Sequence, residues 1–233
     1  MRSTCGRIGT RTDGYRTGMA FSPLEVISRT AGGALAAATG ALGVARQRTK
    51  PLHPDGQIRR ATLTRTGGPV RCGVPWLDNA GREDALVRVS RGLGLPDRLP
   101  DVYGLALRLQ GPEGGDILFA NTGFGRLTRF LLVPSATASS RPLTTLLPYR
   151  SPRGGLVLAA VPDSERSFEL HWAGPVGPWH RFGRLELGEP VGDDTRVSFD
   201  PVLHVPAGLQ QYGWVKKLRE PAYWTARARS GRA

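Results

Sequence analysis

A chain of 233 residues can bury one sizeable core, and an all-β domain of that length needs no division into two. Two cysteines, Cys5 and Cys72, exclude a disulfide framework and a cysteine-based zinc site, and they fit a reducing cytoplasm. The net charge of +13 sits at the ends: residues 1–71 carry twelve basic side chains against three acidic, residues 214–233 six against one, and residues 72–213 fourteen against fifteen. No aromatic residues are interleaved with the basic runs, so specific nucleic-acid recognition is not expected. Loose attraction to polyanions or to an anionic membrane surface through the two ends remains open.

In chain order, residues 1–22 are rich in Arg, Gly and Thr with little to bury, which predicts a disordered extension, with Met19 as a second candidate start. Residues 23–50 read as an Ala- and Gly-rich helix over 23–46 followed by a linker. Its uncharged stretch, Thr30 to Ala45, falls short of the roughly 20 residues a membrane span requires. Asp13 and Glu25 in the flank argue against a signal peptide. A helix packed on the domain, or lying against a membrane surface, fits the composition.

Residues 51–233 form the main domain. From Gln57 onward short strands alternate with Gly and Pro turns: Gln57–Thr64, Ala85–Ser90, Tyr103–Leu109, Asp116–Ala120, Gly155–Val161, Ser167–Ala173, Arg181–Leu187 and Arg196–Phe199. Alternation as in Val87-Arg88-Val89-Ser90 buries one face and leaves the other wet or against a cavity. Residues 134–153, with Pro134, Pro142, Pro148 and Pro152, read as a long loop with one helical turn. The stretch Tyr212–Arg229 reads as a helix interrupted at Pro221, where either a new helix starts with Glu220 at its cap or the helix kinks. The expected fold is mainly β with flanking helices (α+β), an antiparallel barrel or sandwich.

Several chemistries lack their residues. No Asp-x-His or His-x-His pair is present to hold two cations, and His171-Trp-Ala and His204-Val-Pro are not the His-x-Thr pairs of two-histidine phosphoesterases. Gly123-Phe-Gly-Arg-Leu-Thr lacks the spacing and the lysine of a phosphate-cradling loop. No Gly-x-Ser-x-Gly elbow occurs. The five tryptophans, Trp76, Trp172, Trp179, Trp214 and Trp224, are expected to pack rather than to form a cage.

Three stretches together carry a resemblance. They are Ala85-Leu-Val-Arg-Val-Ser-Arg-Gly-Leu-Gly-Leu-Pro-Asp97, Pro100-Asp-Val-Tyr-Gly-Leu-Ala-Leu-Arg-Leu109 and Gly115-Asp-Ile-Leu-Phe-Ala-Asn-Thr-Gly123, followed by Phe199-Asp-Pro-Val and Arg219…Tyr223 near the end. In this order they resemble the haem catalases over about residues 52–230. The similarity is strongest to the short catalase-related proteins and to an actinobacterial group that carries the name phosphodiesterase. The resemblance implies a catalase-like β-barrel with haem as cofactor. It places Tyr223 as the axial ligand to the iron, held ionised by Arg219, since a free tyrosine has a pKa of roughly 10. It places Arg88 against a haem propionate, with Ser90 and Asn121 on the distal side.

One departure limits the chemistry. The family's distal histidine belongs on the strand Ile58-Arg-Arg-Ala-Thr-Leu-Thr-Arg-Thr-Gly67, which has none; Thr62 or Thr64 stands near its place. His53, His171, His180 and His204 lie elsewhere. General acid–base catalysis typically contributes about 10²–10⁴-fold, so an efficient catalase is not expected. Tyr103 in place of the family's arginine is a second departure. What remains is a haem-binding barrel with weak peroxidase-like activity, or a non-catalytic barrel that binds a small apolar ligand or a partner. Phosphodiesterase activity rests on the group's name alone.

Overall fold

The structure, a computed structural model, describes residues 57–92, 95–96, 98–111, 114–191, 197–217 and 219. The expected helix over 23–46 lies outside the described residues, as do His53, Pro221 and Tyr223. The strands are β1 (Gln57–Thr66), β2 (Ala80–Arg91), β3 (Tyr103–Leu109), β4 (Gly115–Asn121), β5 (Leu143–Thr144), β6 (Tyr149–Ser151), β7 (Gly154–Pro162), β8 (Ser167–Ala173), β9 (His180–Pro190) and β10 (Gln210–Gln211). A short helix, α1 (Pro75–Asp78), precedes β2, and the backbone turns helical again over 213–217.

Eight strands close on themselves in the order β1-β2-β3-β4-β5-β7-β8-β9, every neighbour antiparallel, with β9 returning to β1. Closure removes the exposed edges that a sandwich of these strands would leave. β6 and β10 extend the sheet from the start of β7. Gly115 is required at the mouth of β4: a Cβ there would collide with the Pro206 backbone nitrogen. Residues 205–209 close that end together with α1, whose Trp76 and Leu77 are fully buried.

The period-2 pattern explains which faces are buried. Paired residues Val87, Leu107 and Ile117 point inward, as do Val89, Leu105 and Phe119, and they join Leu63, Leu158, Phe168, Leu170 and Leu185 in one core. The barrel is therefore filled by side chains and holds no pore. Each such aliphatic side chain contributes on the order of 1.5–3 kcal/mol by leaving water.

The structure departs from the sequence reading in two places. The segment 197–199 is not a strand; Ser198 and Phe199 instead cap Arg108, through the Ser198 carbonyl at 2.5 Å and the Phe199 ring at 5.1 Å. The expected loop 134–153 contains β5 and β6, too short to show a pattern, and β5 completes the barrel wall between β4 and β7.

Candidate functional site

Of the residues that carry the resemblance, Arg88 and Ser90 fall on the outward face of β2. Arg88 on β2 pairs with Ala106 on β3, and Ala106 with Leu118 on β4; one row further, Ser90 pairs with Gly104, and Gly104 with Ala120. Residues directly opposite one another share a face. Arg88 and Ser90 therefore look away from the core onto a wall whose nearest side chains are Ala106, Leu118 and Ala120, with bare backbone at Gly104. Across β1, Arg88 faces Ile58.

Arg88 is half-buried on this wall, and the loss of water around its guanidinium lowers its pKa without discharging it. Ile58, which also points outward, is only 5 % exposed. The place opposite Arg88 is thus held by an aliphatic group that cannot move a proton. Further along β1, Thr62 faces Asp84 and Thr64 faces Arg82.

Asn121 is not on this wall. It continues the inward row of Ile117 and Phe119, and the β4 residue that shares a row with Ser90 is Ala120. The Asn121 amide is fully buried and engaged. Its Oδ1 accepts the Tyr103 N–H at 3.0 Å, and its Nδ2 donates to the Arg141 carbonyl at 3.3 Å. Tyr103 turns to the loop beyond β4, its Oη donating to the Ala136 carbonyl at 3.1 Å. So the structure brings Arg88 and Ser90 together and separates Asn121 from both.

Arg219 is described and Tyr223 is not. The Arg219 Nη2 donates to the Thr145 carbonyl at 3.5 Å. The phenol it lies beside, among the described residues, is Tyr149 on β6. Burial pushes that phenol's pKa up, and the nearby guanidinium works against the shift. Tyr149 is buried at the barrel end with no well-formed hydrogen bond to its Oη.

The lower border of the wall is an ion pair that the sequence did not single out. Arg108 donates Nε to Asp116 Oδ1 at 2.7 Å and Nη2 to Oδ2 at 2.6 Å, and the same Oδ2 accepts the Asp200 N–H at 2.6 Å. Asp116 is fully buried, and the paired carboxylate raises the pKa of Arg108. The signal was present in Asp116 at the start of a strand and Arg108 at the end of its neighbour, but only the register brings them face to face.

The described histidines lie off the wall. His171 is on β8, with Nε2 3.5 Å from Glu169; burial lowers its pKa, and Glu169 partly opposes this. His180 lies against Trp172 at 4.5 Å between ring centroids, and His204 sits in the segment that covers Asp116. Arg129, also unanticipated, is 1 % exposed and stacked on Trp179 at 4.2 Å, and it donates to the carbonyls of Gly125, Gly174 and Gly177. Among the described residues, no group of three His, Cys, Asp or Glu side chains could hold a metal ion, and no helix is long and apolar enough to cross a membrane. Cys72 is buried beside Asp78, with its thiol pKa raised to about 11, and offers no nucleophile near neutral pH.

No protein-family model matches the chain, and no curated protein matches it in sequence. Among solved structures it is similar to a fungal catalase, with a TM-score of 0.56 at 12 % identity, over 97 % of this chain. The chain spans 66 % of that catalase's length. At this identity the likeness is one of fold: the protein has a catalase-like, closed antiparallel β-barrel.

Proposed function

We propose that this barrel binds a planar, largely apolar ligand bearing a carboxylate, of the haem class, on the outer wall of β2 to β4, and that it is not an efficient catalase. The observation that carries the reading is Arg88 standing on a wall of Gly104, Ala106 and Ala120. Such small side chains let a flat ring system approach the strand backbone, and a guanidinium pairs a carboxylate through two parallel hydrogen bonds. Ser90 adds a hydroxyl one row away. These residues fit the group that the catalase-like fold suggests, on the side that needs contact and one cationic anchor for a carboxylate.

Bound haem would supply redox chemistry with peroxides. The chain's own contribution is orientation and the exclusion of water. Ile58 and Ala120 beside Arg88 and Ser90 carry no group able to take or return a proton, so peroxide cleavage lacks the acid–base assistance typically worth about 10²–10⁴-fold. The reading is therefore binding with weak peroxidase-like turnover. The alternative, a barrel that binds another apolar carboxylate and no haem, uses the same wall.

Haemin titration of the purified protein, followed by Soret absorbance, tests the proposal. Saturable one-to-one binding is expected, weakened about tenfold or more in Arg88→Ala, because a charge-assisted hydrogen bond is worth on the order of 1.5–3 kcal/mol. Ala106→Trp, which fills the wall, should abolish it. A folded protein that stays colourless after haem-supplemented expression, and shows no haemin-induced spectral change, ends the haem reading.

A further inference from the structure

The β7 side of the barrel carries a second, smaller apolar cluster outside the main core. Val157 alternates with the inward Leu156 and Leu158 and so points outward, yet it is fully buried. It packs with Phe130, Leu147 and Val215, and the rings of Trp179 and Tyr212 lie against the same cluster. Three chain segments meet here. Arg129 donates to the carbonyls of Gly125, Gly174 and Gly177, which ties the turn over 123–128 to the β8–β9 turn. Phe124 stacks on Trp179 across the same junction, with ring centroids 4.9 Å apart. A Cβ on Gly155 would stand 3.0 Å from Pro175 and 3.3 Å from Tyr212 Oη, so the segment 212–217 lies beside the β8–β9 turn as well.

Each segment turns an apolar side chain out to water. Leu127, 66 % exposed, is the most exposed of the large apolar side chains described; Val176 is 50 % exposed and Trp214 38 %. Leu127 and Val176 sit in turns closed by backbone bonds, Arg129 N–H to the Gly125 carbonyl and Gly177 N–H to the Gly174 carbonyl, both at 3.1 Å. The buried Arg129 guanidinium clamps those two turns to each other. Trp214 lies against Tyr212 at 6.4 Å between ring centroids. The exposure of these side chains is therefore built into the fold, and grouped apolar exposure of this kind marks contact surfaces.

Charge says what kind of surface fits. Residues 122–130, 174–180 and 212–217 contain no Asp or Glu, while Arg126, Lys216 and Lys217 are exposed among them. Glu169, whose neighbour His171 lies against Phe124, is engaged by Arg181 at 3.3 Å. Cations around exposed aliphatic and indole side chains match the interfacial layer of an anionic bilayer. There lysine and arginine reach headgroup phosphates while the apolar side chains enter the acyl boundary. A single-stranded nucleic acid would be met by exposed aromatic rings instead, whereas the two most exposed of these three side chains are aliphatic.

We propose that Leu127, Val176 and Trp214, with Arg126, Lys216 and Lys217, dock the protein on an anionic lipid surface. This face is separate from the wall of β2 to β4 and does not depend on the ligand reading.

The experiment uses the full chain carrying Cys5→Ser and Leu127→Cys, labelled with an environment-sensitive maleimide dye. Cys72 stays silent because it is buried with a raised pKa. Vesicles of phosphatidylcholine mixed with phosphatidylserine should shift the emission to the blue, and vesicles of phosphatidylcholine alone should not. The same dye on Ser164→Cys, in the exposed β7–β8 turn at the other end of β8, should not respond. Cosedimentation of the unlabelled protein with the mixed vesicles should weaken at least about tenfold in Lys216→Gln with Lys217→Gln, since each cation near the surface is worth roughly fivefold. Leu127→Ser with Val176→Ser should weaken it about as much, with thermal unfolding unchanged. No shift at position 127 overturns the proposal whether or not the protein cosediments, since binding without it belongs to the basic termini. Cosedimentation that survives Leu127→Ser with Val176→Ser, or an equal shift at position 164, overturns it too. A shift that grows with protein concentration in the absence of vesicles assigns the face to a second copy, and an equal shift with a single-stranded oligonucleotide assigns it to nucleic acid; either result overturns the lipid assignment.

Discussion

Arg88 and Ile58 face each other across the antiparallel ladder of β1 and β2, on the outside of the barrel. A guanidinium able to hold an anion thus has an inert aliphatic partner where proton transfer would need an ionisable one. On the proposed reading, anchoring and acid–base chemistry are separable on such a wall, and its side chains supply only the first.

Replacing Ile58 by His tests that separation. With haemin bound, Ile58→His should raise peroxidase turnover by roughly 10–10²-fold, part of the range that a positioned general acid–base supplies. The gain should appear as pH rises through the histidine pKa and a neutral imidazole becomes available. Steady-state oxidation of a phenolic dye by hydrogen peroxide, measured from pH 5 to 8, reads this out. A flat profile at the parent's rate would mean that position 58 is remote from the reacting atoms.

Asn121 is expected to matter for stability and not for binding. Its amide ties the Tyr103 N–H and the Arg141 carbonyl while fully buried. Asn121→Ala strands both groups, at a cost of about 1–3 kcal/mol for a buried unsatisfied partner. Urea denaturation should show that loss with haemin affinity unchanged. Affinity falling along with stability would place the side chain in the ligand's reach after all.

Arg129 holds the loops at one end of the barrel through three carbonyls and the Trp179 ring. Burial lowers its pKa, with the charge of Arg126 adding to the shift. Arg129→Lys keeps the charge but cannot reproduce the planar fork that reaches carbonyls of separate loops. A destabilisation of about 2 kcal/mol or more is expected for Lys, comparable with that for Met. Thermal unfolding of the two variants decides; full rescue by Lys would show that charge alone suffices.

Tyr149 gives a pH dependence with a definite sign. Its folded pKa is raised above the unfolded value of about 10, by burial first, with the Arg219 charge opposing. The unfolded chain therefore releases this proton first. The contribution is fully present below about pH 10 and is lost as pH rises through the folded pKa. Because the Oη has no well-formed hydrogen bond, Tyr149→Phe should be near neutral at pH 7 and less sensitive to alkali than the parent. Chemical denaturation at pH 7, 10 and 11 measures both. Removing the Arg219 charge raises the folded pKa further, so the alkaline loss should still begin near pH 10 but grow larger and continue to higher pH.

The strands from Gln57 to Leu187 were legible because inward residues such as Val87, Leu105 and Leu185 alternate with outward ones, a pattern set by the pleat itself. Two features hid from it. Leu143–Thr144 and Tyr149–Ser151 are too short to show a period, yet β5 is what closes the barrel. Residues 197–199 looked like a strand, but Phe199 serves Arg108 instead of a ladder. Candidate site residues could be found from motif order, but their grouping could not. Ser90 and Asn121 share a face only if β3 and β4 pair in one particular register, and a slip of one residue would reverse it.

Composition and alternation by themselves determined an antiparallel, mainly β domain without a histidine on its first strand, because side-chain period and residue identity are local properties. Tertiary structure alone decided that Arg88 and Ser90 stand on an outer wall with Ile58 and Ala120, and that Asn121 is spent inside. Those facts depend on which residues pair across strands far apart in the chain, and pairing is settled by the packing of one shared core.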